Sequence, residues 1–131
     1  YNQYLGIGPG AHSRVSNNSR RMSLVQIKSP KEWLNSILRN NCGLASKEIL
    51  SNNESAMEVL ITGLRLKEFL PTERFNQFSN LKLEELIKKP VIEELIIGGF
   101  IEIKKSKIRT SLKGKAVLNS ILKRFDEVIN S

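Results

Sequence analysis

The sequence predicts a mainly α chain with a small β component: a winged-helix-like C-terminal domain over residues 30–131, preceded by a strand and hairpin over residues 1–29. Three observations carry this. Two Ser-x-x-Glu patterns, Ser29 to Glu32 and Ser51 to Glu54, each open an apolar helical stripe. Short alternating runs at 100–103 and 108–110 flank a polar turn and read as a β-wing. A final segment repeats Leu118, Ile121, Leu122, Phe125, Val128 and Ile129 at a 3.6-residue period.

Taken in order, Tyr4 to Ile7 reads as a short strand. His12 to Ser16 and Arg20 to Ile27 read as a hairpin turning at Asn17-Asn18-Ser19, because Asn tolerates positive φ. Large apolar residues are too few here for an independent core, and two or three strands without a partner layer are marginal. Ser29 then caps a helix with Pro30 in its first turn. Trp33, Leu34, Ile37 and Leu38 form its stripe, and Asn40-Asn41-Cys42-Gly43 stops it. Leu44 to Ile49 reads equally as a short strand or a helical turn.

The helix capped by Ser51 is predicted to run to about Phe69, burying Met57, Leu60, Ile61 and Leu64. Gly63 costs about 1 kcal/mol against Ala in a helix, which predicts close contact with a neighbour. Arg65 lies off the stripe, exposed or paired with Glu68. Pro71-Thr72 opens a short helical turn through Phe75, Leu81 to Lys88 is another short helix, and Pro90 opens one with Val91, Leu95 and Ile96 inward. Gly98-Gly99 ends it. Phe100 to Ile103, the turn Lys104 to Lys107, and Ile108 to Thr110 make the wing.

Composition narrows the function. The net charge is +8. Residues 1–50 hold seven Lys/Arg against two Glu, and residues 51–131 hold fourteen against eleven acids, so no single face is continuously basic. A lone cysteine, Cys42, excludes an internal disulfide and fits a reducing, cytoplasmic setting. No apolar run approaches the roughly 18 residues of a membrane span, and no signal peptide is seen. With no initiator Met, a specialised stretch at the extreme start suggests a piece of a longer protein.

Among sites, the stretch Gly6-Ile7-Gly8-Pro9-Gly10-Ala11-His12 is the most specialised. Glycines on alternate positions leave one side bare, so a backbone or a flat ligand can come close. G-x-G-x-G is not the dinucleotide pattern G-x-G-x-x-G. No helix follows it, and the next acid is Glu32. Two uses stay open: structural packing, or lining of a cofactor cavity. His12, the only histidine, reads as a hydrogen-bonded structural group or as a haem or cofactor contact, imidazole being a good iron ligand. No catalytic residue set is present. Ser/His/Asp sets, zinc spacing and a P-loop are absent, and the Glu84-Glu85 and Glu93-Glu94 pairs point apart on their helices. The wing cations Lys104, Lys105, Lys107 and Arg109 could meet phosphate, but the preceding helix carries Glu93 and Glu94 and is otherwise apolar. A recognition helix would carry groove-reading donors, so nucleic acid is the alternative partner rather than the leading one.

Tyr4-Leu5-Gly6-Ile7-Gly8-Pro9-Gly10-Ala11-His12-Ser13, together with Glu58-Val59-Leu60-Ile61-Thr62-Gly63-Leu64-Arg65-Leu66, Thr110-Ser111-Leu112-Lys113-Gly114 and Val117-Leu118-Asn119, resembles the C-terminal region of one radical SAM family. That family contains oxygen-independent coproporphyrinogen III oxidase and the HemW-type haem chaperone. The first string is closer to the HemW-type branch. The resemblance is weak from about Gln26 to Asn53, and Phe69-Leu70 replace the family's usual small residue.

The resemblance implies that residues 1–29 are the last strand and hairpin of a catalytic barrel. Residues 30–131 would pack on that barrel and help close its cavity. It implies a 4Fe-4S cluster, S-adenosylmethionine and haem or porphyrin in the parent, with haem acceptor proteins as partners. It implies that Gly6, Gly8, Gly10, Ala11 and His12 are cofactor-binding. No cofactor or metal is expected in the chain itself: the cluster needs C-x-x-x-C-x-x-C, three thiolates, and one cysteine cannot supply them.

Overall fold

A computed structural model describes residues 3–17 and 20–131. The chain divides into two compact units, one extending to Leu50 and the other beginning at Ser51. The first helix and the third strand group with the hairpin in the first of these units.

In the N-terminal unit, β1 (His12–Asn17), β2 (Arg20–Gln26) and β3 (Leu44–Ile49) form an antiparallel sheet in the order β1-β2-β3. The hairpin register runs from His12 opposite Val25 to Asn17 opposite Arg20. Asn17 therefore closes the strand, while Asn18 and Ser19 of the expected turn lie outside the described residues. The alternative left open at Leu44 to Ile49 resolves as strand, and every residue of β3 is exposed. A bulge at Val25/Gln26 ends β2 one residue before the expected Ile27, whose N–H instead meets the Gly43 carbonyl at 2.9 Å.

The expected strand Tyr4 to Ile7 reduces to one bridge, Tyr4 to Arg14, bonded in both directions at 2.9 and 3.0 Å. Pairing stops there because the chain turns away through Gly8 and Gly10, at φ 98° and 70°. Between β2 and β3 lies α1 (Pro30–Asn40). Ser29 Oγ accepts the Glu32 N–H, and Asn41 closes the helix in the left-handed region. Of its expected stripe, Trp33 and Ile37 are half-buried, whereas Leu34 and Leu38 are exposed.

The C-terminal unit begins with α2 (Asn52–Gly63), held by a complete capping box between Ser51 and Glu54. It continues through β4 (Leu70–Pro71), α3 (Thr72–Ser79), α4 (Leu83–Ile87), α5 (Pro90–Ile97), β5 (Ile101–Ile103), β6 (Lys107–Thr110), α6 (Leu112–Ala116) and α7 (Leu118–Ile129). The core gathers Val59, Leu60 and Leu64 with Phe75, Leu83, Ile92, Ile108 and Phe125, all solvent-free. Each such side chain contributes about 1.5–3 kcal/mol on burial.

Several expectations shift. The helix α2 ends at Gly63, not near Phe69, and its buried stripe is Ala56, Val59, Leu60 and Gly63, with Met57 and Ile61 at the flanks. Gly63 has its predicted neighbour, since an added Cβ would lie 2.9 Å from a Leu70 methyl. Arg65 is exposed. Thr72 begins a helix that runs to Ser79, and Leu70–Pro71 pairs with β6 to give a sheet ordered β4-β6-β5. The unit is therefore more mixed α/β than a helical domain with a bare two-stranded wing. In α5 the fully buried residue is Ile92, with Val91, Leu95 and Ile96 half-buried around it. Lys107 belongs to β6 rather than to the turn. The helix α6 is an addition to the expected elements, while α7 buries Ile121, Leu122 and Phe125 on the predicted face.

Candidate functional site

The segment Gly6 to His12 is a backbone turn stitched to the end of β2. The Ala11 N–H donates to the Gly8 carbonyl at 3.2 Å, the Gly10 N–H to Ile27 at 2.8 Å, and the Gln26 N–H to Ala11 at 2.8 Å. Gly6 fits because its Cα faces the His12 carbonyl, with which any Cβ would collide, and its N–H donates to Ser13 Oγ at 3.0 Å. The glycines therefore perform packing work at Gly6 and turning work at Gly8 and Gly10.

Gly6, Ile7 and Gly8 line an open hollow of about 300 Å3 with Gln26, Trp33, Ile37, Cys42, Gly43 and Leu44. Trp33 Nε1 donates to Gln26 Oε1 at 3.0 Å, which fixes the indole as a wall. An added Cβ at Gly43 would strike that indole. This wall is suited to a flat, apolar group. Of the predicted site residues, Gly6 and Gly8 meet in the hollow, whereas Gly10, Ala11 and His12 are outside its lining. His12 is exposed on β1. Cys42 is an exposed single thiol, so the donor set of this chain does not fit a three-thiolate cluster.

The hollow's other wall, Gln26, Trp33 and Gly43, was not legible as a site. These residues come from a strand, a helix and a loop, and no spacing links them. The glycine directly after Asn41-Cys42 was the available signal, and it reads locally as a helix stop.

The motifs at 58–66 and 110–114 meet in the C-terminal unit. Thr110 Oγ1 donates to the Leu64 carbonyl at 2.8 Å. Ser111 Oγ caps α6 by accepting the Gly114 N–H at 3.0 Å and donates to the Gly99 carbonyl at 2.6 Å. Gly114 is pressed on the Phe100 carbonyl, leaving no room for a Cβ. In β5 and β6, Arg109 grips Glu102 at 2.6 and 2.7 Å and lies 4.3 Å from the Phe69 ring centre. The expected basic wing thus loses Arg109 to an internal pair.

A family model described as the HemN C-terminal domain matches residues 50–117. Curated relatives include a protein of Danio rerio called "Radical S-adenosyl methionine domain-containing protein 1, mitochondrial", 30% identical over 126 residues, and its namesake in Bos taurus, at 32%. Each alignment covers 92% of this chain and 28% of the relative, so the chain spans about a quarter of the length of the curated relatives it matches. A solved structure, that of coproporphyrinogen III oxidase (HemN) from Escherichia coli, described as a radical SAM enzyme, superposes with a TM-score of 0.64 at 17% identity. It covers 95% of this chain and 28% of that one.

Proposed function

The chain belongs to the HemN C-terminal domain family, and from that premise we propose that it is the C-terminal module of a radical SAM protein, packing on the parent's barrel and helping to close its cavity. One observation carries this reading. The N-terminal unit exposes large apolar side chains, among them Leu5 at 71%, Ile7 at 95%, Leu38 at 74% and Ile49 at 60%. Large apolar side chains left in water are the ones that packing against the rest of the parent would bury, which supports the reading.

The parent's cluster and S-adenosylmethionine supply the radical chemistry when bound, and this chain contributes shape. Its bare glycine segment admits close approach, and closure excludes water from a reactive site. Gly6, Gly8, Gly10, Ala11 and His12 face that cavity in this proposal, with the exposed His12 imidazole available to haem or porphyrin. Of the two activities that the family resemblance implies, haem delivery to an acceptor protein is favoured over coproporphyrinogen III oxidation by the Gly10-Ala11-His12 sequence. The order helix, strand, helices, hairpin supports a winged-helix reading of the C-terminal unit. A free-standing nucleic-acid module is not favoured, because the family match places the chain with parts of radical SAM proteins.

We also propose a reducing compartment. The lone thiol supports it, and the named relatives are mitochondrial rather than cytoplasmic. Among the described residues no helix is long and apolar enough to cross a membrane.

The test is co-expression of the chain with the remainder of its parent as two polypeptides. A stable complex that Leu38→Asp with Ile49→Asp disrupts supports the reading. Failure of the wild-type pieces to associate overturns it.

A further inference from the structure

We propose that Arg65, Lys67 and Lys115 form a binding site for a small polyanion of the phosphate class, carrying at least two anionic groups. Two hollows of about 380 and 410 Å3 in the C-terminal unit share Lys115 as a common wall. The first is also lined by Lys67, Arg109 and Ser111, and the second by Arg65, Asn119 and Ser120.

The charge in these hollows is unbalanced. Glu102 is the only acid among their lining residues, and Arg109 occupies its carboxylate. Arg65, Lys67 and Lys115 have no acidic partner among the described residues. The hydroxyls of Thr110 and Ser111 are also committed, to the Leu64 and Gly99 carbonyls. What remains for a ligand is one guanidinium, two ammonium groups, the Asn119 amide and the Ser120 hydroxyl. Charge-assisted bonds from such donors select oxyanions. A shared cation between two concavities selects an anion with two heads over a single one. The wing lysines Lys104 and Lys105 are equally basic, but they sit on an exposed turn and line neither hollow. They supply an internal control.

The experiment uses the isotope-labelled 131-residue chain, titrated with sodium tripolyphosphate at a constant ionic strength of about 0.15 M, where long-range attraction is largely screened. Saturating amide shifts confined to residues 64–67 and 109–120 are expected. Lys115→Gln and Arg65→Gln should each weaken binding about tenfold, the scale of one lost charge-assisted bond. Lys115→Arg should restore most of it, Lys104→Gln with Lys105→Gln should leave it unchanged, and orthophosphate should bind at least about tenfold more weakly. Non-saturating shifts spread over the wing, retained affinity in Lys115→Gln with its spectrum intact, or equal binding of orthophosphate would each overturn the proposal. None of these readouts needs the barrel, so they stand or fall apart from the docking test.

Discussion

Thr110 Oγ1 donates a 2.8 Å hydrogen bond to the carbonyl of Leu64 across forty-six residues of chain, with both partners buried. Leu64 is the C-cap residue of α2, where helix carbonyls lose their intrahelical donors. Thr110 of the Thr-Ser-Leu-Lys-Gly motif thus bonds Leu64 of Gly-Leu-Arg-Leu where the chain leaves α2, just past Gly63. Thr110→Val keeps the shape and leaves the Leu64 carbonyl buried without this donor, so unfolding in urea should show a loss of about 1–3 kcal/mol. Thr110→Ser, which retains the hydroxyl, should lose less. Equal stability of the valine variant and wild type would count against the link.

The same bond explains where sequence reading fell short. Arg65, Leu66, Lys67 and Glu68 are sound helix formers, so local propensity carried α2 on toward Phe69. The chain leaves the helix instead to bring Leu70 beside Ile108 in the β4–β6 pair. That contact is non-local and has no period to read. Capping boxes and the α7 stripe were legible because their information lies within three or four residues. The glycine string announced itself as special, but its partners Trp33 and Gly43 are joined to it only by folding.

Gly114→Ala should destabilise the C-terminal unit by about 1–3 kcal/mol, because its Cβ would meet the Phe100 carbonyl rather than a yielding side chain. Gly99 serves as the comparison. It has no atom within reach of a Cβ but sits at φ 74°, so Gly99→Ala tests backbone strain alone. Thermal unfolding of the two variants separates collision from conformation.

The capping box makes the stability of α2 depend on pH. The Ser51 backbone N–H, 2.8 Å from Glu54 Oε2, and then the Ser51 side chain, hold the Glu54 carboxyl below its ordinary value. A carboxyl depressed in the folded state binds protons more readily when unfolded. Its stabilising effect is therefore present above the unfolded value, about 4.3, and is lost as pH falls through the folded one. Wild type and Glu54→Gln should differ in unfolding midpoint at pH 7 and draw together as the pH is lowered past the unfolded value. A difference that stays constant across that range would remove Glu54 ionisation as the cause.

Arg109 couples Glu102 to Phe69, and the three should behave as one unit. The ion pair is 38% and 42% exposed, so its isolated contribution is screened to about 0.2–1 kcal/mol. The ring contact adds a similar amount, about 0.5–1 kcal/mol at an exposed site. Arg109→Lys retains charge but loses the planar fork that holds both oxygen and ring. It should therefore fall closer to Arg109→Ala than to wild type. A double-mutant cycle between Glu102→Gln and Phe69→Leu measures the coupling directly. A non-zero coupling term that disappears in the Arg109→Ala background is the expected outcome, and simple additivity with Arg109 present would show that the guanidinium serves its two neighbours independently.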